Sequence, residues 1–356
     1  MQTYIELLKE LIRQRPVSRD AQAVNRAQDL VYAFLKERGL YCTFEEMGEK
    51  KLLFASTVPG KTPALLLNAH LDVVPADHES QYSPRQEGDW IIGRGPADCL
   101  GNAVAVIKAL CESKEASVGA IFSGDEEIGG KLTAEMARRG YSASRLIVIM
   151  DFYGNGNICC AQKGILNLKL TARGVSGHSS APHLCDNAID KLLSGYSRLK
   201  ALWQNPSTDD LWHKTMAATV IHAGLAANQI PETAEMTLNF RTVAPQEQEE
   251  IIDLVRQTTG LEVTVISSRP PVTVSTDAPE IKLFAACMEK HLGRKPDFTR
   301  MSGATDASCF ASSGIPIAIA GIRGMGEHSP EEKADMASLE KYAQILVELA
   351  QKLSSK

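Results

Sequence analysis

The sequence predicts an α/β fold interrupted by a smaller α+β domain. Three observations predict it. Helix and strand signals alternate as far as residue 150, the middle reads strand–helix–strand–strand–helix–strand, and the alternation returns before the C-terminus. A chain of 356 residues is about twice the usual ~100–200 of one domain, which suits a two-part organisation.

The elements follow in order. Tyr4–Arg13 carries Ile5, Leu8, Leu11 and Ile12 at helical spacing, and Pro16 stops it. Ala21–Arg38 is a second amphipathic helix, closed by Gly39. Leu40–Glu45 and Leu52–Ser56 read as short strands, and the apolar run Ala64–Asn68 as a strand buried on both faces. A helix over Asn102–Ser113, a strand over Gly119–Ser123, a helix fragment over Ala134–Arg139 and a buried strand over Arg145–Met150 complete the first half. The middle offers strands at Ile165–Thr171, Ala217–Ala223, Glu235–Val243 and Leu261–Ser267, with helices at Ala188–Leu202 and Pro245–Thr258. That order fits one antiparallel sheet with helices packed on it. Afterwards come the helix Glu280–His291, the buried strand Ile315–Ala320 and the helix Ala337–Lys352. The expected division is therefore 1–164 with 277–356 for the first domain and 165–276 for the insertion.

Composition narrows the function. Lys+Arg at 38 against Asp+Glu at 43 gives a net charge of −5, which supplies no general attraction to nucleic acid or to an anionic membrane. Met1-Gln2-Thr3 holds no basic residue and Tyr4–Ile12 is expected to be an amphipathic helix rather than a signal peptide, and no run approaches the ~18 apolar residues of a membrane span. The 8 cysteines form no C-x-x-C pair, so they read as reduced thiols of a cytoplasmic protein.

The ionisable residues collect at element ends. Ala64–Asn68 runs into His70 and Asp72, Gly119–Ser123 into Asp125, Glu126 and Glu127, and Arg145–Met150 into Asp151. Ile315–Ala320 leads through a Gly-rich loop holding Arg323 to Glu327 and His328, while Asp98 opens the helix that begins near Asn102. Ligands of open α/β sheets gather just beyond the carboxyl ends of strands. Each element alone has an ordinary reading: a surface pair for His-x-Asp, a solvated helix start for Glu126–Glu127, a turn cap for Asp98. Their conjunction at one sheet edge points to chemistry. Two histidines with several carboxylates form a zinc-type donor set that cobalt or manganese also fits, sufficient for two metals if one carboxylate bridges them. Cys99 is expected to pack in the core behind the loop.

These residues lie in specific motifs: Asn68-Ala69-His70-Leu71-Asp72-Val73-Val74-Pro75, Gly93-Arg94-Gly95-Pro96-Ala97-Asp98, Ser123-Gly124-Asp125-Glu126-Glu127-Ile128-Gly129-Gly130 and Gly326-Glu327-His328-Ser329-Pro330. Further matches are Ala172–Pro182 around Gly177-His178-Ser179, Ala227-Asn228-Gln229-Ile230-Pro231 and Asn239-Phe240-Arg241. Order and content resemble the acetylornithine deacetylase, succinyl-diaminopimelate desuccinylase and glutamate carboxypeptidase family of co-catalytic zinc metallopeptidases. The resemblance implies a zinc-peptidase-like catalytic domain, its mixed sheet covered by helices, and an inserted ferredoxin-like lid that also dimerises the chain.

The resemblance also implies roles. One metal falls to His70, Asp98 and Asp151, the other to Asp98, Glu127 and His328, with Asp98 bridging. Asp72 would orient His70 from behind. Glu126 would be the general base toward a metal-activated water, and His178 the oxyanion donor, in related enzymes reaching across from the partner subunit. Arg241 and Asn228 resemble residues that grip substrate carboxylate and carbonyl groups, and Thr305 lies in a loop resembling a substrate-lining one, with a turn cap as the equal alternative. Two positions depart from the family pattern: Asp151 stands where deacylases usually carry Glu, as in the dipeptidase relatives, and Leu100 where a Lys is common. The implied reaction is amide hydrolysis of a small N-acyl amino acid, or else of a short peptide.

Overall fold

The computed structural model describes residues 1–203, 205–206 and 211–355. The chain divides into two compact units: 1–161 with 273–300 and 305–356, and 162–272 with 301–304. The insertion thus begins and ends slightly before the seams read from periodicity. Residues 301–304 join it through a bond such as the Lys163 amide to the Met301 carbonyl, 3.3 Å.

In the first unit the central strands of a nine-stranded sheet run in the order Lys50–Ser56, Val118–Ser123, Leu65–His70, Leu146–Met150 and Ile317–Ala320. The last four are mutually parallel, and Lys50–Ser56 is antiparallel to its neighbour, so the sheet is mixed. Leu65–His70 is buried along its whole length because helices cover both faces. Burial of Leu65, Leu66 and Leu67 contributes roughly 2 kcal/mol each. The register aligns His70 with Ser123, Asn68 with Ile149, and Ala320 with Met150, so four strands end at one edge. A small four-stranded sheet of Arg85–Glu87, Trp90–Ile92, Gly324–Met325 and Lys333–Asp335 was not foreseen. Its strands are two or three residues long, too short to show a period.

The second unit holds one antiparallel sheet in the order Thr215–Ala223, Thr233–Thr242, Gly164–Arg173 and Glu262–Arg269. Its chain order with the helices Ala188–Leu202 and Glu247–Thr259 is ferredoxin-like. Leu166, Leu168, Leu170 and Leu238 point inward to Leu192, Leu199, Ile251 and Val255 on those helices. Thr215–Ala223 is an edge strand and is exposed from Ala217 onward. Among the described residues no helix is long and apolar enough to cross a membrane.

Candidate metal centre

The centre is built at the common strand edge of the first unit. His70 closes its strand with its ring fully buried. Its Nδ1 faces the Asp72 backbone carbonyl at 2.8 Å, which leaves Nε2 directed at Asp98 Oδ1, 2.9 Å, and Asp151 Oδ1, 3.7 Å. The Asp72 carboxylate stands 3.6 Å from the same Nδ1 and accepts the amide N–H groups of Glu126 and Glu127 at 3.1 and 3.3 Å. Asp72 thus stands behind His70 and makes a second contact that the sequence did not suggest. Its carbonyl orients the imidazole, while its carboxylate holds the turn that carries the two glutamates.

Across the site, His328 Nε2 lies 3.1 Å from Asp98 Oδ2 and 3.2 Å from Glu127 Oε1. Asp98 thus presents one oxygen to each histidine. His70, Asp98 and Glu127 converge on one point, as do His70, Cys99 and Asp151. The Cys99 thiol donates to the Met150 carbonyl at 2.8 Å, and burial pushes its pKa well up, which keeps it a thiol. Glu126 opens the short helical turn Glu126–Ile128, adjacent to Glu127.

The electrostatics favour cations here. Burial opposes charge on His70, yet the hydrogen bonds to Asp151 and Asp98 and the Asp151 charge hold its pKa well above the ordinary value. His328 is raised to about 10 by hydrogen bonds to Asp98 and Glu127. Burial alone would raise Asp98, but the hydrogen bonds from His328 and His70 take it far below the usual carboxylate range. Burial raises Asp151 and Glu127, with His70 and His328 respectively opposing. Three carboxylates are therefore balanced by two imidazoles drawn to their protonated forms. Two divalent ions would supply that positive charge through the same nitrogen and oxygen atoms, so the donor set fits them.

The remaining predicted residues are distributed differently. Thr305 is 2% exposed, and its hydroxyl accepts the Ala307 amide at 3.2 Å to cap the turn Asp306–Phe310. That is the turn-cap alternative. Asp306 is buried against the Ser123 and Thr133 hydroxyls below the Glu126 turn, a network no local pattern reveals. Burial first, and the Asp306 charge next, lift Asp125 to about 6. Arg323 turns its guanidinium over the Trp90 ring, 5.1 Å to the centroid, and toward Asp335.

In the second unit, His178 is exposed, and its Nδ1 accepts the Ser180 amide at 3.2 Å with the Ser180 hydroxyl at 2.7 Å. That leaves the ring proton on Nε2, the tautomer an oxyanion donor needs. Asn228 lies beside it, its carbonyl accepting the Ser179 amide, and Gly177–His178 pairs with Gln229–Ile230. Arg241 is elsewhere. The strand Thr233–Thr242 begins opposite Arg173, near the His178 segment, and reaches Arg241 opposite Ile165 at its far end. Eight steps of strand separate Thr233 from Arg241, about 27 Å. His178 and Asn228 are brought together; Arg241 is not.

Residues 66–352 match Peptidase family M20/M25/M40, and the chain belongs to that family. It is a metal-dependent hydrolase. It is 28% identical to a succinyl-diaminopimelate desuccinylase from Rhodospirillum centenum, over 94% of this chain and 93% of that one. Its fold matches an M20 metallo-carboxypeptidase from Sulfolobus solfataricus with a TM-score of 0.82, at 19% identity and over all of both chains. It also matches a Bacillus subtilis protein described as a dinuclear metal-binding M20 peptidase, with a TM-score of 0.71, 16% identity and 99% and 98% coverage.

Proposed function

We propose that the chain hydrolyses the amide bond of a small N-acyl amino acid, in the manner of acetylornithine deacetylase and succinyl-diaminopimelate desuccinylase. The observation that carries this reading is the convergence of His70, Asp98, Asp151, Glu127 and His328 on two adjoining points, with Glu126 next in sequence to Glu127. Support for the substrate class comes from the desuccinylase relatives, whose length the chain matches almost fully.

His70, Asp98 and Asp151 would hold one ion, and Asp98, Glu127 and His328 the other; zinc suits the nitrogen and oxygen donors best, with cobalt or manganese accepted. When bound, the ions supply Lewis acidity toward the scissile carbonyl and the attacking water. Glu126 takes the proton of that water on its carboxylate and delivers it to the leaving nitrogen. Asp72 keeps Glu126 in place through the two amide bonds to its carboxylate. His178, with its proton on Nε2, stabilises the oxyanion, and Arg241 and Asn228 bind substrate carboxylate and carbonyl groups.

Arg241 and the His178–Asn228 pair stand at opposite ends of one strand, too far apart to grip a single small substrate. This separation supports our reading that the two ends serve two active sites of a homodimer in which each chain completes the other's centre. The exposed edge Thr215–Ala223, with Val220 and Ile221 uncovered, supplies a pairing surface. The free thiols fit a reducing compartment, and we place the protein in the cytoplasm.

One observation favours a second reading. Asp151, one methylene shorter than the deacylase Glu, fits a dipeptidase or carboxypeptidase acting on short peptides. Amine release from Nα-acetylornithine, other acetyl-amino acids, N-succinyl-diaminopimelate and dipeptides with free or blocked amino termini separates the two, with zinc or cobalt added and a chelated control. Chelator-sensitive release from acyl-amino acids alone is expected. Cleavage that demands a free amino terminus makes the chain a dipeptidase.

A further inference from the structure

Two ligand loops meet through a buried ion pair. Arg94 is 1% exposed and Glu332 is fully buried, although 238 positions separate them. Glu332 Oε2 accepts Arg94 Nη1 and the Gly95 amide, both at 2.9 Å, and Oε1 accepts the Ala97 and Asp98 amides, both at 3.1 Å. One carboxylate thus satisfies the amides of Gly95, Ala97 and Asp98, Pro96 between them having no N–H. Arg94 in turn donates through Nη2 to the His328 carbonyl at 3.4 Å. His328 has φ +59°, a left-handed backbone that costs a non-glycine residue of order 1 kcal/mol and persists only where neighbours impose it. Gln81 adds a bond to the Ser329 carbonyl at 3.2 Å on the same loop.

We infer that Glu332 and Arg94 are positioning residues that set the backbone of the Asp98 loop against that of the His328 loop, and so govern the second metal subsite selectively. The inference rests on the ligand assignment proposed above. Its selectivity follows from which groups the pair holds. Two of the three ligands of the Asp98–Glu127–His328 subsite sit on the clasped loops. Only Asp98 does in the other subsite, where His70 is fixed by its own strand and by the Asp72 carbonyl. Outer partners of metal ligands typically govern affinity by about 10–100-fold.

Glu332→Gln keeps the shape but turns an NH₂ group toward donors that need an acceptor. Arg94→Lys keeps the charge but loses the fork that reaches both Glu332 and the His328 carbonyl. Zinc alone is the probe, by equilibrium dialysis of the full chain over a range of free Zn²⁺, with thermal melts run alongside. Leu349→Ala, a fully buried truncation in the C-terminal helix, reports what loss of stability alone does.

The expected result is two ions in wild type and in Leu349→Ala. In Glu332→Gln the second ion should weaken about 10–100-fold and the first by distinctly less, since Asp98 alone of its ligands is clasped. Arg94→Lys should show the same unequal loss in smaller degree, and excess zinc should restore turnover in both. Arg94→Lys carries the test if Glu332→Gln does not fold. Native affinity for both ions in the folded variants overturns the inference. So does a parallel loss of both ions that Leu349→Ala reproduces, since the pair would then only stabilise the fold. Fewer than two ions in wild type overturns the ligand assignment itself, and this inference with it.

Discussion

The strands Leu65–His70 and Thr215–Ala223 are both poor in charge, yet the first is buried throughout and the second is exposed over most of its length. Leu65–His70 lies among the parallel strands at the centre of a mixed sheet, and its end is held where His70 meets Asp98 and Asp151. Thr215–Ala223 is the edge of a sheet whose helices cover one face, so its outer hydrogen-bonding groups and its Val220 and Ile221 side chains face outward. The difference teaches that the first unit assembles its cluster of histidines and carboxylates from its own elements. The second unit leaves the apolar side chains of this edge uncovered.

The largest expected effect tests the self-sufficiency of the first unit. Asp98→Ala removes the oxygens that face both histidines, and metal analysis should find the dinuclear centre lost and turnover absent. Two ions per chain in that variant would end the bridging assignment. Glu126→Ala should keep both ions and the fold while turnover falls about 10²–10⁴-fold, the usual worth of a positioned base. Near-normal turnover there removes Glu126 from that role.

The next effects test whether the second unit is incomplete alone. His178→Ala should lower kcat about 10²–10³-fold with both ions retained, as for loss of an oxyanion donor. Mixing it with Asp98→Ala should restore turnover if His178 serves the partner's centre, because mixed dimers then contain one intact site. No recovery after subunit exchange would place His178 in its own protomer's site. Ile221→Lys should shift sedimentation toward monomer and lower turnover without moving metal content. An unchanged dimer would take this edge out of the interface.

Much of the catalytic unit was legible because its signals are local. A continuous apolar run such as Ala64–Asn68 reads as a strand buried on both faces, and the polar residue after such a run emerges at the sheet edge. That logic placed His70, Glu127 and Asp151 before any contact was known. The ferredoxin-like insertion was legible for a related reason, since Gly164–Arg173 and Thr233–Thr242 alternate buried and half-buried residues. Thr305 shows the limit: a threonine before an aspartate caps a turn or faces a ligand with the same local spelling, and burial decided for the cap.

By itself the sequence determined the order of elements, the inserted domain and the residue types brought to one edge, because periodicity and strand ends are properties of neighbouring residues. Only the tertiary structure decided what depends on distant segments meeting. It paired Arg94 with Glu332, turned the Asp72 carboxylate toward the Glu126 turn, buried Asp306 beneath it, and set Arg241 at the far end of the strand from His178. Those outcomes follow from sheet register and from the need of every buried charge for partners, and neither is written in the spacing of residues along the chain.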